Sequence, residues 1–178
     1  MNGQVATTGS APEVLSALRS VFIRDLTAVG REIAAYPDDA SLWKTVPGVA
    51  NSAGTLALHA AGNIQHFIGA TLGHSGYQRD REAEFSRRDL PRTALAAEIE
   101  KAVQAVDRAL PGLTPEQLYA PYPLLIAGRR VRTLDFLVHL ATHLSYHLGQ
   151  VDYHRRILTG GEAVETVLPQ ALPTVEGQ

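Results

Sequence analysis

The side chains of this sequence best placed to do chemistry are imidazoles. Four of the seven histidines, His139, His143, His147 and His154, fall in one stretch that reads as a single helix, Thr133 to about Leu158. Residues four apart lie about one turn apart on the same helix face, so His143 and His147 can aim their rings at one point, as paired zinc ligands on a helix do. His139 precedes His143 by the same interval, but each such step rotates by about 40°, so these three do not comfortably share one ion. A third ligand must come from elsewhere. His59, Asn63 and His66 stand at i, i+4 and i+7 on one face of an earlier helix otherwise free of charge, and spacing does not choose between His59 and His66. One imidazole from that helix and two from the last would make a three-nitrogen site with open positions, the arrangement a catalytic metal needs.

The chain has no cysteine. Disulfides, thiolate ligands and cysteine nucleophiles are therefore excluded together, and any thiol used in a reaction must come from outside. The same absence fits a reducing compartment, and a cytoplasmic location is expected. Met1 to Leu15 has neither the basic start nor the apolar run of a secretory signal. A length of 178 residues with 45% hydrophobic and 19% charged content is that of one globular domain. The net charge of −2 gives no reason to expect nucleic acid as a partner. Between Lys44 and Arg79 there is no Asp, Glu, Lys or Arg, yet Asn, Gln, His, Pro and several glycines interrupt the stretch. A span needs about 20 predominantly apolar residues, so a helix buried inside a bundle or against a partner chain is expected, and no membrane.

Four helices can position the histidines. The first is predicted from about Pro12 to Ala35, with Ser10 upstream as cap and Val14, Leu15, Leu18, Phe22, Leu26, Val29 and Ile33 at helical spacing. After a connection carrying Trp43, the second starts at Asn51 or Ser52, either a competent cap, and runs to about Leu72, with Gly73 as its stop. Gly76 to Leu90 reads as charged and irregular. The third helix runs from about Pro91 to Leu110. Thr114 to Gln117 reads as a capped turn, and Tyr119 to Arg132 as a short extended excursion with a hairpin around Ala127-Gly128. The last helix ends at Gly160-Gly161. Helices of this length in a chain of this size bury their stripes only against one another, so an all-α four-helix bundle is expected. Residues 1–10 are expected to be a flexible N-terminal tail, 11–160 the bundle domain and 161–178 a C-terminal tail.

The phrases LALHAAGNIQHFI and HLATHLSYHLGQVDY, and above all the pattern His143-x-x-x-His147-x-Gly149-Gln150, resemble the DinB/YfiT-like superfamily of small metal-binding four-helix bundles. Leu58 to Asn63 and Arg79-Asp80-Arg81-x-x-Glu84-Phe85 resemble one uncharacterised DinB-like branch of it. The resemblance covers roughly Ser16 to Gly160. It implies a metal triad of one histidine from the second helix and two from the last, which on this sequence are His59, His143 and His147. His66 then becomes a boundary residue or a support behind the ligands. His139 is assigned to packing or the site margin, and His74 and His154 to solvent.

The metal of such a family varies; zinc, nickel and iron all suit imidazole and water ligation. Relatives of this kind transfer small thiols, or isomerise or hydrolyse small molecules, so the expectation is a metal-dependent transferase using an external low-molecular-weight thiol, or a hydrolase, on an unidentified small molecule. An open three-histidine site lowers the pKa of a bound water or thiol and polarises a substrate oxygen. Asn63, Tyr146 and Gln150 are candidate contacts of substrate or of the ligands, and each is equally readable as packing. Arg79 and Arg81, in the run after the second helix, are read either as a solvated loop or as an anion-recognising or loop-fixing cluster at the mouth. No carboxylate stands out as a general base. The competing expectations are a non-catalytic binding or stress-response module in which the metal stabilises the bundle, and a dimerising helical module with incidental histidines. A homodimer is expected, through the uncharged second helix and exposed apolar residues such as Trp43.

Overall fold

The computed structural model of the chain describes residues 10–164, 167 and 169. The expected N-terminal tail, and most of the expected C-terminal one, lie outside the described residues.

Helix α1 (Ala11–Ala34) begins where Ser10 and Pro12 predict, and the Ser10 amide donates to the Glu13 carboxylate at 2.6 Å, closing the first turn as a capping box. A 3-10 turn, Ala40–Trp43, follows. Helix α2 (Ala53–Ile64) is capped by Ser52, whose hydroxyl accepts from the Thr55 amide at 3.3 Å. The predicted continuation to Leu72 changes character at Gln65. Residues Gln65–Ala70 form a π-helix, with Thr71 N–H bonded to the His66 carbonyl and Gly73 N–H to that of Ile68, both at 3.0 Å. The wider turn re-aims the face that follows it; His66, about two turns beyond His59, stands outside the three-nitrogen group.

The stretch read as irregular contains a short helix, α3 (Arg81–Ser86), which Asp80 caps by accepting from the Ala83 amide at 2.9 Å. Helix α4 (Arg92–Ala109) and the capped turn α5 (Pro115–Tyr119) come next. The excursion that follows makes two isolated bridges, Pro121 with Arg132 and Ile126 with Arg129, around Ala127 and Gly128 at φ 48° and 75°, the left-handed pair a tight hairpin turn requires. Helix α6 (Thr133–Thr159) ends on Gly160 at φ 63°.

The described residues are all-helical, without a strand. Helices α1 and α2 each pack against both α4 and α6. Phe22, Leu26, Ile33, Ile64, Leu95, Leu137 and Leu144 fill the shared interior. Every residue of α2 is buried, so its lack of charge reflects burial within this chain. Trp43 is buried as well: its indole lies so close to Gly54 that a Cβ there would come within 2.8 Å of the ring, and its N–H donates to the Leu90 carbonyl at 3.0 Å. Neither α2 nor Trp43 therefore offers the exposed patch expected of a dimer surface. Among the described residues no helix is long and apolar enough to cross a membrane.

Candidate metal centre

The packing of α2 against α6 brings three imidazoles to one point. His143 Nε2 lies 3.4 Å from His59 Nε2 and 3.1 Å from His147 Nε2. One ligand atom from each of the three residues falls within 4.8 Å of the others. Zn–N bonds of about 2.0–2.1 Å at a tetrahedral angle separate two nitrogens by about 3.3 Å, close to the spacings found. His59 is 8% exposed, while His143 and His147 are partly buried. The cluster is thus closed on the α2 side and opens along α6.

Each outer imidazole is oriented from behind. A carboxylate only accepts, so the 3.0 Å contact between His59 Nδ1 and Glu84 Oε2 fixes the proton on Nδ1 and leaves the Nε2 lone pair facing the cluster. Likewise His147 Nδ1–H donates to Gln150 Oε1 at 2.7 Å. Glu84 is held in turn by Arg79, whose Nε and Nη2 donate to its two oxygens at 2.7 and 2.8 Å. The approach of Arg79 Nη2 to His59 Nδ1, 3.3 Å, is then a contact between two donors gathered on one carboxylate. Burial pushes the Glu84 carboxyl upward, but the Arg79 and His59 hydrogen bonds outweigh it and hold the carboxyl below its ordinary value. Burial, together with the neighbouring His147 and His59, pushes His143 down to about 4, so its lone pair is available at neutral pH.

Sequence pattern alone does not point to Glu84. It sits on α3, 25 residues after His59, inside a run readable either as a solvated loop or as a loop-fixing cluster, and the structure buries it to 6% exposure. The one local signal is Gly62, one turn beyond His59. A Cβ at Gly62 would lie 2.2 Å from Glu84 Oε1 and 2.9 Å from its Cδ, so the glycine makes the space the carboxylate occupies. Gly62→Ala is expected to push Glu84 off Arg79 and His59, costing about 1–3 kcal/mol as overpacking does and weakening metal binding. Thermal unfolding and a metal titration of the variant check this, and wild-type values in both would refute it.

The remaining candidates divide. Arg79 is at the cluster, as a support for Glu84. Arg81 is exposed and lies over the Phe85 ring at 5.0 Å, and Phe85 packs against His59 at 4.9 Å between centroids. Asn63 is buried with an Oδ1 that has no partner among the described residues. His66 is partly buried against Phe67 and stands outside the three-nitrogen group, as a boundary residue does. His139 is exposed and stacks on His143 at 5.8 Å, at the site margin. Tyr146 is exposed with its ring 5.6 Å from that of His147. His74 is exposed.

His154, expected in solvent, is instead 1% exposed. The last turns of α6 pack over the 36–46 region, where the Tyr36 hydroxyl meets His154 Nδ1 at 2.8 Å and the Lys44 carbonyl meets Nε2 at 2.9 Å. Burial holds its pKa below the ordinary value, against the carbonyl bond that favours the proton.

Residues 10–171 match the family described as "Protein of unknown function (DUF1572)", which lies in the DinB-like clan. The chain belongs to that family. It matches no curated protein.

Proposed function

We propose that this DUF1572 member is a four-helix bundle of the DinB/YfiT-like type that binds one divalent ion, zinc, nickel or iron, through His59, His143 and His147, and serves as a metal-dependent transferase or hydrolase acting on a small molecule. The observation that carries the reading is the meeting of three imidazole nitrogens from two helices, with two of the rings oriented from behind by Glu84 and Gln150. Neutral imidazoles with their lone pairs turned inward are the donor set such an ion takes.

A bound ion would supply Lewis-acid polarisation and a lowered pKa for a water or thiol at its open positions. His59 holds the closed side; His143 and His147 border the open side, through which substrate enters. Glu84 keeps His59 in one tautomer. Asn63, one turn beyond His59, is buried with an Oδ1 that has no partner among the described residues, and we propose it as an acceptor for a buried water. With no cysteine in the chain, a thiol nucleophile is an external one. A cytoplasmic location is part of the same proposal.

Elemental analysis of the purified protein tests the reading. About one equivalent of metal per chain is expected in the wild type and none in His143→Ala or in the triple His→Ala variant. Protein that carries no metal, with His143→Ala indistinguishable from wild type, would favour incidental histidines. One observation supports a non-catalytic alternative: Glu84, the carboxylate at the site, is fully engaged by Arg79 and His59 and is not free to act as a base. A module of that kind loses melting temperature on chelation and shows no turnover.

A further inference from the structure

A cavity of about 650 Å³ lies between α6 and the loop that precedes α2, and its lining includes Tyr146 and Gln150, the two residues that pack on or bond to His147. Its walls are Val49, Leu56 and Ile157, with the rings of Tyr146 and Tyr153 at the rim and Gly149 on the floor. We propose that this cavity receives an uncharged, predominantly apolar small molecule, whose polar end Gln150 binds behind His147. None of His59, His143 and His147 lines the cavity and Gln150 meets His147 on its Nδ1 side, so it is a second site beside the metal centre and stands apart from that reading.

Three observations carry it. The first is size: about 300–1,000 Å³ is the usual volume of a small-molecule site. The second is charge. Among the described residues no Asp, Glu, Lys or Arg lines the cavity. Its one imidazole, His154, has both nitrogens engaged by Tyr36 and Lys44 and is kept neutral by burial. Charges just behind the lining are paired: Asp25, which accepts from Ser145 of the lining, with Arg24 at 2.8 Å, and Arg156, over the Tyr153 ring at 5.6 Å, with Asp152 at 3.6 Å. A charged ligand entering this lining would lose water and find no counter-charge, whereas an aromatic or aliphatic one buries apolar area against the walls.

The third observation is the connection. Gln150 Oε1 is committed to His147 Nδ1–H, which leaves its amide NH₂ as the donor a ligand meets. A molecule lying in the cavity and bonded to that donor has one end directly behind His147, the ring that Gln150 orients. Gly149 keeps the floor open: a Cβ built there meets nothing within 4 Å, so the helix tolerates a large side chain at this position and the cavity does not.

The test uses a matched pair of fluorescent probes on the full chain, neutral N-phenyl-1-naphthylamine and its anionic relative 8-anilino-1-naphthalenesulfonate. The neutral probe is expected to bind at one per chain and at least tenfold more tightly than the sulfonate. Gly149→Phe is expected to weaken the neutral probe at least tenfold while keeping the wild-type melting temperature and metal content. Equal binding of both probes, or wild-type binding by Gly149→Phe, would overturn the proposal. So would a wild-type dimer in sedimentation that ignores the probe and falls to monomer in Gly149→Phe, because the cavity would then be covered by a second copy. Metal content separates the two readings: a chain without metal that still binds the neutral probe as described removes the metal centre and leaves the cavity.

Discussion

Glu84→Ala is expected to cost the metal-free protein about 3–5 kcal/mol of stability, the effect of removing one partner from a buried ion pair, and to weaken metal binding about 10- to 100-fold, the effect of losing a carboxylate behind a ligating histidine. Arg79, whose side chain is 11% exposed, would keep its charge and lose both its acceptors, and His59 Nδ1–H would be left without one. Glu84→Gln separates the two effects. It retains an acceptor for His59, so metal affinity is expected to fall less than in the alanine variant, while most of the stability loss remains because the charge opposite Arg79 is gone. Chemical denaturation of the metal-free proteins reads the first quantity, and titration against a competing chelator the second. Wild-type metal affinity in Glu84→Ala would show that the carboxylate serves Arg79 alone.

The sign of the pH dependence follows from the lowered Glu84 value. Its contribution is fully present above the ordinary carboxyl pKa of 4.5 and is lost as pH falls below that through the folded-state value.

What could be read from sequence followed local period. The stripes of α1 and α4, the caps at Ser10 and Ser52, the turn at Ala127-Gly128 and the His143/His147 pair are all encoded within a few residues, and each lies where the sequence predicts it. His59 is different in kind. Spacing places it on one face with His66, and only the resemblance separates them; in the structure His66 lies about two turns further along the helix, against Phe67 and outside the three-nitrogen group, a difference that depends on where α6 crosses α2. Trp43 and His154, which the sequence places at the surface, and Glu84, which it leaves between a solvated loop and a loop-fixing cluster, are buried for one shared reason. Each is polar or amphipathic and sits near a loop or a helix end, where solvent is the ordinary expectation. Each is buried by a segment distant in sequence: α2 over Glu84, Gly54 and Leu90 around Trp43, and Tyr36 with Lys44 around His154. Such burial depends on tertiary placement, which a periodic pattern does not carry.

A second buried ion pair, away from the metal centre, gives the other large effect. Arg155 on α6 is 3% exposed and donates from Nε to Glu32 of α1, itself 2% exposed, at 2.5 Å. Its Nη2 also reaches the Glu162 carbonyl at 2.9 Å. Glu32 is the poorer side of the arrangement, because its Oε1 has no partner among the described residues. Arg155→Ala would therefore leave a buried carboxylate with nothing to offset its lost hydration, and about 3–5 kcal/mol of destabilisation is expected. Glu32→Ala should cost less, since Arg155 retains the Glu162 carbonyl and approaches Asp152 at 3.5 Å. The double variant Glu32→Leu/Arg155→Met should recover much of the loss, because apolar side chains of similar volume carry no desolvation cost. Denaturant unfolding of the wild type, the two alanine variants and the double variant Glu32→Ala/Arg155→Ala, read as a double-mutant cycle, measures the coupling directly. Additive single losses would show that the two charges do not depend on each other. Metal content should stay at the wild-type value throughout, since neither residue touches the three histidines or Glu84, and that separates loss of the α1–α6 clamp from loss of the site.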